Sequence, residues 1–170
     1  MNNLVIENNS QKNREKLYVE WVPVGRFVKI IMLFVFVLIF TIGIIFTAFM
    51  HGELMVMGII YCGISLFIFL LYWNFRGLRI TLTNNQLEVD YGVFNHKKIS
   101  LQEISGCEIT KANFRKYGGV GIRFGLDRSW AYNTDFGEAV KLILKKGRPF
   151  IFSTRNPQKI CNLINELANR

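Results

Sequence analysis

Two long runs without a charged side chain occupy the first half of the chain. No acidic or basic residue occurs between Lys29 and Glu53 or between Glu53 and Arg76, so the runs are 23 and 22 residues long. A helix that crosses a bilayer needs about 20 mainly apolar residues. The pattern therefore predicts two transmembrane helices, over residues 30–50 and 54–75. Because the link between them has three residues, we expect an antiparallel hairpin.

The hydrophobic period changes to two after residue 77. Apolar side chains alternate with polar ones on both sides of Asn84-Asn85, and this pattern is typical of a β-hairpin. Further strands are predicted at residues 93–101, 106–111, 119–124, 129–132, 139–145 and 149–153. The second half of the chain is therefore expected to hold seven or eight mostly antiparallel strands.

A helix is predicted at the end of the chain. Asn156 is a good N-cap and Pro157 suits the first helical position. Apolar residues then recur at helical spacing, namely Ile160, Leu163, Ile164 and Leu167. The predicted fold class is a membrane α-helical hairpin followed by an α+β unit. The predicted divisions are a polar N-terminal segment at 1–29, the hairpin at 30–75 and a soluble domain at 76–170.

The N-terminal segment has two parts. Residues 1–16 are polar, and we expect them to form an unstructured tail. Residues 17–24 are more apolar, and two alternatives are open: they lie in the membrane interface, or they pair with the soluble domain. Aromatic side chains suit headgroup depth, so the predicted interface anchors are Trp21, Tyr72 and Trp73.

The distribution of charge predicts an orientation. The chain carries a net charge of +9, and residues 77–170 hold fifteen Lys or Arg against eight Asp or Glu. Glu53 is the sole charged residue between the two apolar runs. The positive-inside rule then places both termini in the cytoplasm of a multi-pass membrane protein. A 51% hydrophobic composition so arranged excludes a soluble protein, a disordered chain and a large multidomain enzyme.

Basic residues gather near predicted turns and strand ends. They are Lys97, Lys98, Lys111, Arg115, Lys116, Lys145, Lys146 and Arg148. A solvated rim is the ordinary interpretation of such residues. Beside a bilayer, anionic headgroups become the more economical partner, and nucleic acid is not expected. We therefore treat these eight residues as candidate contacts to the membrane surface.

No constellation for catalysis or metal binding is visible. The three cysteines have no CxxC spacing, and they are expected to be reduced thiols in a reducing compartment. His51 lies in the turn between the spans and His96 lies in a strand, so the two histidines are not expected to share a site. The sequence therefore predicts a protein that is not an enzyme and has no cofactor.

A resemblance to a known family follows from several motifs together. The two spans, the opening Gly77-Leu78-Arg79-Ile80-Thr81, the run Tyr117-Gly118-Gly119-Val120-Gly121-Ile122-Arg123 and the terminal helix resemble the bacterial pleckstrin-homology-like membrane proteins. The resemblance covers residues 25–170. It implies a seven-stranded antiparallel sandwich or barrel that the C-terminal helix caps. The structural motif in it comprises Tyr117, Gly118, Gly119, Gly121 and Arg123.

The same resemblance leads to two expectations about function. The first is a non-catalytic binding or scaffold module at the cytoplasmic membrane surface, with a membrane protein as a further candidate partner and homo-oligomers allowed. The alternative is immunity to membrane-active antimicrobial peptides such as bacteriocins, which some family members are associated with. Inositol-phosphate specificity is not carried over, because the first hairpin turn, Asn84-Asn85, is short and uncharged.

Overall fold

A computed structural model describes residues 15–49, 54–113 and 117–168, which form three α-helices and nine β-strands. The helices are α1 (Arg26–Phe49), α2 (Leu54–Asn74) and α3 (Pro157–Ala168), and a 3-10 turn covers Leu101–Glu103. The strands are β1 (Lys16–Pro23), β2 (Gly77–Thr83), β3 (Gln86–Tyr91), β4 (Asn95–Ser100), β5 (Ile104–Ala112), β6 (Gly121–Phe124), β7 (Trp130–Asn133), β8 (Gly137–Leu144) and β9 (Phe150–Ser153).

The strands form two sheets. Sheet 1 has the order β1-β2-β3-β4, and sheet 2 has the order β5-β8-β9-β7-β6. All neighbouring pairs are antiparallel except β7 and β9, which are parallel. The molecule is therefore mixed α+β, as expected. Eight of the nine described strands follow residue 76, within the predicted seven or eight, and β1 adds a ninth that the seven-stranded fold implied by the resemblance did not include. Strand β9 lies between β8 and β7 and runs parallel to β7, so the sheet is not entirely antiparallel. The alternation of apolar and polar residues does not specify this strand order.

Strand β1 joins the N-terminal segment to the two sheets. We call these sheets together with α3 the β domain. It pairs antiparallel with β2, from Tyr18 opposite Leu82 to Pro23 opposite Gly77. Of the two alternatives for residues 17–24, the structure shows pairing with the domain. Because α1 and α2 lie between β1 and β2 in the chain, the helical hairpin is an insertion between two adjacent strands of one sheet.

This insertion defines two ends of the β domain. The helix-proximal end is where β1 finishes, β2 begins and β3 turns into β4. A hydrogen bond from the Gly25 amide to the Thr134 carbonyl, at 2.9 Å, places the end of β7 there too. The far end holds the Asn84-Asn85 turn, the loop of residues 125–129 and the loop of residues 145–149, because these lie at the opposite ends of the same strands.

The core lies between the sheets and under α3. The alternating apolar residues of the first hairpin are fully buried, as the period of two predicts. Ile160 and Ile164 from α3 are buried in the same cluster, and the helix packs on β5, β8 and the 3-10 turn. The helix begins at Pro157 as predicted.

A disulfide corrects one prediction. Cys107 on β5 and Cys161 on α3 are bonded, with Cα atoms 5.5 Å apart, so the expectation of three reduced thiols is wrong for these two. They are separated by 54 residues, and the sequence showed no short spacing that would pair them. Their contact arises from the packing of α3 on β5. Cys62 is the one free cysteine among the described residues.

Helix α1 is long and apolar enough to cross a membrane. The qualifying stretch is Arg26–Phe46, and none of its most apolar part is buried inside the protein. In α2 the described apolar stretch is Gly58–Asn74, which is shorter than the length of about 20 residues that spans a bilayer. A signal sequence near an N-terminus shares the properties of α1. The described helices thus establish one candidate span, not two, and the link at residues 50–53 lies outside the described residues.

Candidate membrane-facing surface

Both helices leave the β domain from its helix-proximal end. The Val24 amide donates to the Arg76 carbonyl at 3.0 Å, so the residue after β1 and the residue before β2 are held side by side. Val24 and Gly25 are both buried. A Cβ at Gly25 would meet the carboxyl group of the exposed Asp135 side chain, which would then have to move. The junction between helices and sheets is therefore closely packed.

The turn between β3 and β4 is the most exposed apolar feature at this end. The exposed fraction is 59% for Val93 and 81% for Phe94. The Val93 amide donates to Oδ1 of Asn74, the last residue of α2, at 2.8 Å. Gly92 has φ of 71°, and a Cβ there would lie 2.0 Å from the Asn74 carbonyl oxygen. The turn is thus fixed against the end of α2 while two apolar side chains project outward.

The three predicted interface anchors lie around the end of α2. The Arg76 guanidinium carbon lies 4.4 Å from the Trp73 ring centroid and 5.8 Å from that of Trp21. Tyr72 lies one residue earlier on α2 and lines a groove against α1. Cation–π contacts of this kind hold a basic group beside aromatic rings. The structure therefore places Trp21, Tyr72 and Trp73 around the same end of α2.

His96 supports the exposed turn. Its Nδ1 lies 2.9 Å from Oδ1 of Asp90, and its Nε2 lies 2.8 Å from the carbonyl oxygen of Val93. The hydrogen bond to Asp90, followed by the one to the Val93 carbonyl, raises the pKa of His96 above its ordinary value. His96 is exposed, as the sequence suggested, but it is bonded at both nitrogens.

The eight candidate basic residues do not form one cluster. Lys97 and Lys98 lie on β4, and Lys98 forms an ion pair with Glu88 at 2.9 Å. Lys111 lies near the helix-proximal end of β5, opposite Glu138. Lys145, Lys146 and Arg148 lie in the loop after β8, at the far end. Arg115 and Lys116 lie outside the described residues.

The far end has an apolar surface of its own. Phe124, Leu126 and Trp130 are exposed around the loop of residues 125–129, and Phe124 packs edge-on against Trp130. The Arg148 guanidinium carbon lies 5.0 Å from the Phe124 ring centroid. The predicted basic turn at residues 145–148 therefore borders this surface and not the one from which the helices leave.

The glycine motif is structural in its described geometry. Gly118, Gly119 and Gly121 all have positive φ, a conformation that glycine adopts readily. This agrees with a tight bend before a strand. Tyr117 is buried, and Nε of Arg123 donates to the carbonyl of Val120 at 3.2 Å. The chain continues directly into β6, so the motif shapes a bend and does not present a helix N-terminus to a phosphate.

Comparisons with models of known families, with curated proteins and with solved structures give no match. Within the described residues, no group of three or more His, Cys, Asp or Glu side chains is placed to hold a metal ion. The function is therefore inferred from the sequence and geometry of this chain.

Several residues of the helix-proximal end were missed by the sequence analysis. Val93 and Phe94 were assigned to a strand, although Gly92 before them is a turn signal. Arg26 and Lys29 were not predicted as contacts, because neither belongs to one of the basic clusters near turns and strand ends. Their position directly before the first apolar run was the available signal.

Proposed function

We propose that the protein is a membrane-anchored, non-catalytic module whose β domain works at the cytoplasmic surface of the cell membrane. The observation that carries this proposal is the helix-proximal end. Both helices leave from it, and the same end exposes Val93 and Phe94 beside the three aromatic anchors. Exposed apolar side chains rimmed by polar groups mark interaction sites, and here the nearest apolar medium is the one that α1 would enter.

The proposed fold family is the pleckstrin-homology-like one. Two sheets and a C-terminal helix that packs on β5 and β8 are compatible with it. The proposed anchor is a retained two-helix hairpin, with α2 as the second span. Its placement between β1 and β2 supports this, since removal of α1 would also detach β1 from its partner strand.

The proposed orientation has a consequence for the cysteine pair. Disulfides persist in oxidising compartments and are rare in the cytosol. The bond between Cys107 and Cys161 therefore weighs against the cytoplasmic side, whereas the charge distribution favours it, and the accessibility of residue 145 to an impermeant reagent decides between them. The alternative function, immunity to antimicrobial peptides, stays a prediction from the resemblance alone.

The test measures whether the turn at residues 92–94 enters the bilayer. The full chain is reconstituted with Cys62, Cys107 and Cys161 replaced by alanine, and an environment-sensitive fluorophore is attached at Phe94→Cys. We expect blue-shifted emission that spin-labelled lipid quenches, because the side chain projects toward the headgroups. Leu126→Cys is the matched control, since Leu126 is equally exposed but lies at the far end. Equal quenching at both positions, or none at Phe94→Cys, would overturn the proposal.

A further inference from the structure

A polar cleft lies beside the start of α1, at the helix-proximal end. It has a volume of about 480 Å³ and lies between α1, the loop after β7 and the loop after β9. The charged residues in its wall are Arg26, Lys29, Asp135, Glu138 and Arg155. Its position is set by the hydrogen bond between the Gly25 amide and the Thr134 carbonyl. The cleft is therefore at the depth where α1 would pass from the cytoplasm into the bilayer.

The charges in the cleft suit a single anionic group. Arg26, Lys29 and Arg155 are exposed, and none of them forms an ion pair with another described residue. Two carboxylates, Asp135 and Glu138, leave the wall with a net charge of +1. One negative charge, as on a phosphodiester, complements that balance, and the carboxylates can accept hydrogen bonds from headgroup hydroxyls.

Thr134 adds a second feature to the same wall. Its hydroxyl is buried and has no hydrogen-bond partner among the described residues. Buried polar atoms are almost always paired, so an unpaired one in a cleft wall points to a group that the protein alone does not supply.

An apolar groove continues from the cleft between the two helices. It has a volume of about 340 Å³, and its wall includes Met32, Phe36, Ile68 and Phe69. Lys29 belongs to both walls, so the polar cleft meets the apolar groove at this residue. A ligand that follows this path has an anionic head and a hydrocarbon tail.

We infer that the cleft and the groove together bind one anionic phospholipid, with its phosphate at Arg26, Lys29 and Arg155 and an acyl chain between α1 and α2. The inference rests on the proposed function, because it requires α1 to enter the bilayer at Arg26. It names an anionic phospholipid as a ligand of the helix-proximal end, which the proposed function places at the membrane surface. The lipid would then contact both α1 and the loops of the β domain beside it.

The test titrates the full chain in detergent with a fluorescent short-chain phosphatidylglycerol. Arg26→Gln with Lys29→Gln should weaken binding about 30-fold, because each cation at a headgroup contributes about a fivefold factor. Lys145→Gln with Lys146→Gln removes the same charge at the far end and should leave the affinity unchanged. Ile68→Trp fills the groove and should weaken lipid binding without altering competition by inorganic phosphate. Should the Arg26 and Lys29 double variant fail to fold, Arg155→Gln alone should weaken binding about fivefold.

Three results would overturn the inference. The first is equal loss of binding in both double variants, which would indicate non-specific attraction. The second is equally tight binding of zwitterionic phosphatidylcholine. The third is full displacement by inorganic phosphate with no effect of Ile68→Trp, which would indicate a site for free phosphate. If the label at Phe94→Cys reports the bilayer while phosphatidylglycerol does not bind, this inference fails and the proposed function stands.

Discussion

At the scale of single residues, the turn of residues 92–94 depends on its polar neighbours. The Asn74 amide oxygen and His96 both bond to the backbone of Val93, one at its amide and one at its carbonyl. Val93 and Phe94 are both largely exposed, so they bury little apolar surface. Hydrogen bonds to the backbone of Val93 therefore hold the turn in its conformation.

His96 makes this turn sensitive to pH. An imidazolium donates from both nitrogens, so the protonated form satisfies Asp90 and the Val93 carbonyl together. Since these contacts raise the pKa of His96 in the folded state above its ordinary value of 6.5, their contribution to stability is fully present below pH 6.5 and is lost as the pH rises through the folded-state pKa. We expect NMR titration to give a pKa above 6.5, and Asp90→Asn to lower it. Glu88→Gln, on the same strand, is the control. An unshifted pKa that Asp90→Asn leaves unchanged would contradict this account.

Residue patterns also show where sequence reasoning stops. The glycines at 118, 119 and 121 were correctly interpreted as a bend, because their freedom at positive φ is a local property. The bond between Cys107 and Cys161 was missed, because it depends on where α3 packs. Arg155 is distant in sequence from Arg26 and Lys29, so no local pattern could group it with these two cations.

At the scale of elements, β1 is held by one carboxylate as well as by its strand pairing. Glu20 accepts hydrogen bonds from the Tyr18 hydroxyl, the Thr154 hydroxyl and the Arg155 amide. Thr154 and Arg155 directly precede α3. Glu20 therefore ties the edge of sheet 1 to the segment that begins the terminal helix.

Removal of this carboxylate should loosen both elements. We expect Glu20→Ala to lower the free energy of unfolding by about 1–3 kcal/mol, because the partly buried Thr154 hydroxyl and a backbone amide lose their acceptor. Hydrogen exchange should rise in β1 and at the start of α3. Glu103→Ala, at an exposed carboxylate, serves as the control. Equal exchange in the two variants would show that strand pairing alone holds β1.

The elements were predictable to different degrees. The hairpin around Asn84-Asn85 and the helix that begins at Pro157 have strong local signals, and both were confirmed. Strand β1 was left between two alternatives, because its pairing with β2 spans the whole helical hairpin. The parallel neighbours β7 and β9 were missed, because strand periodicity carries no information about order within a sheet.

At the scale of the molecule, the helical hairpin is an insertion between adjacent strands of one sheet. A single flexible linker would let a domain tumble, whereas this chain crosses the junction twice and pairs Val24 with Arg76 there. The β domain consequently has a fixed helix-proximal end and a fixed far end. This arrangement places two exposed apolar surfaces at opposite ends of the domain, one at Val93 and Phe94 and one around Phe124, Leu126 and Trp130.

The central claim is that the domain lies on the cytoplasmic side of a two-helix anchor, and substituted-cysteine accessibility tests it most directly. In a chain whose three cysteines are replaced by alanine, an impermeant maleimide is added to intact and to permeabilised cells. The account predicts that His51→Cys is labelled in intact cells, whereas Lys145→Cys is labelled only after permeabilisation. Labelling of Lys145→Cys in intact cells, or of His51→Cys only after permeabilisation, would contradict it.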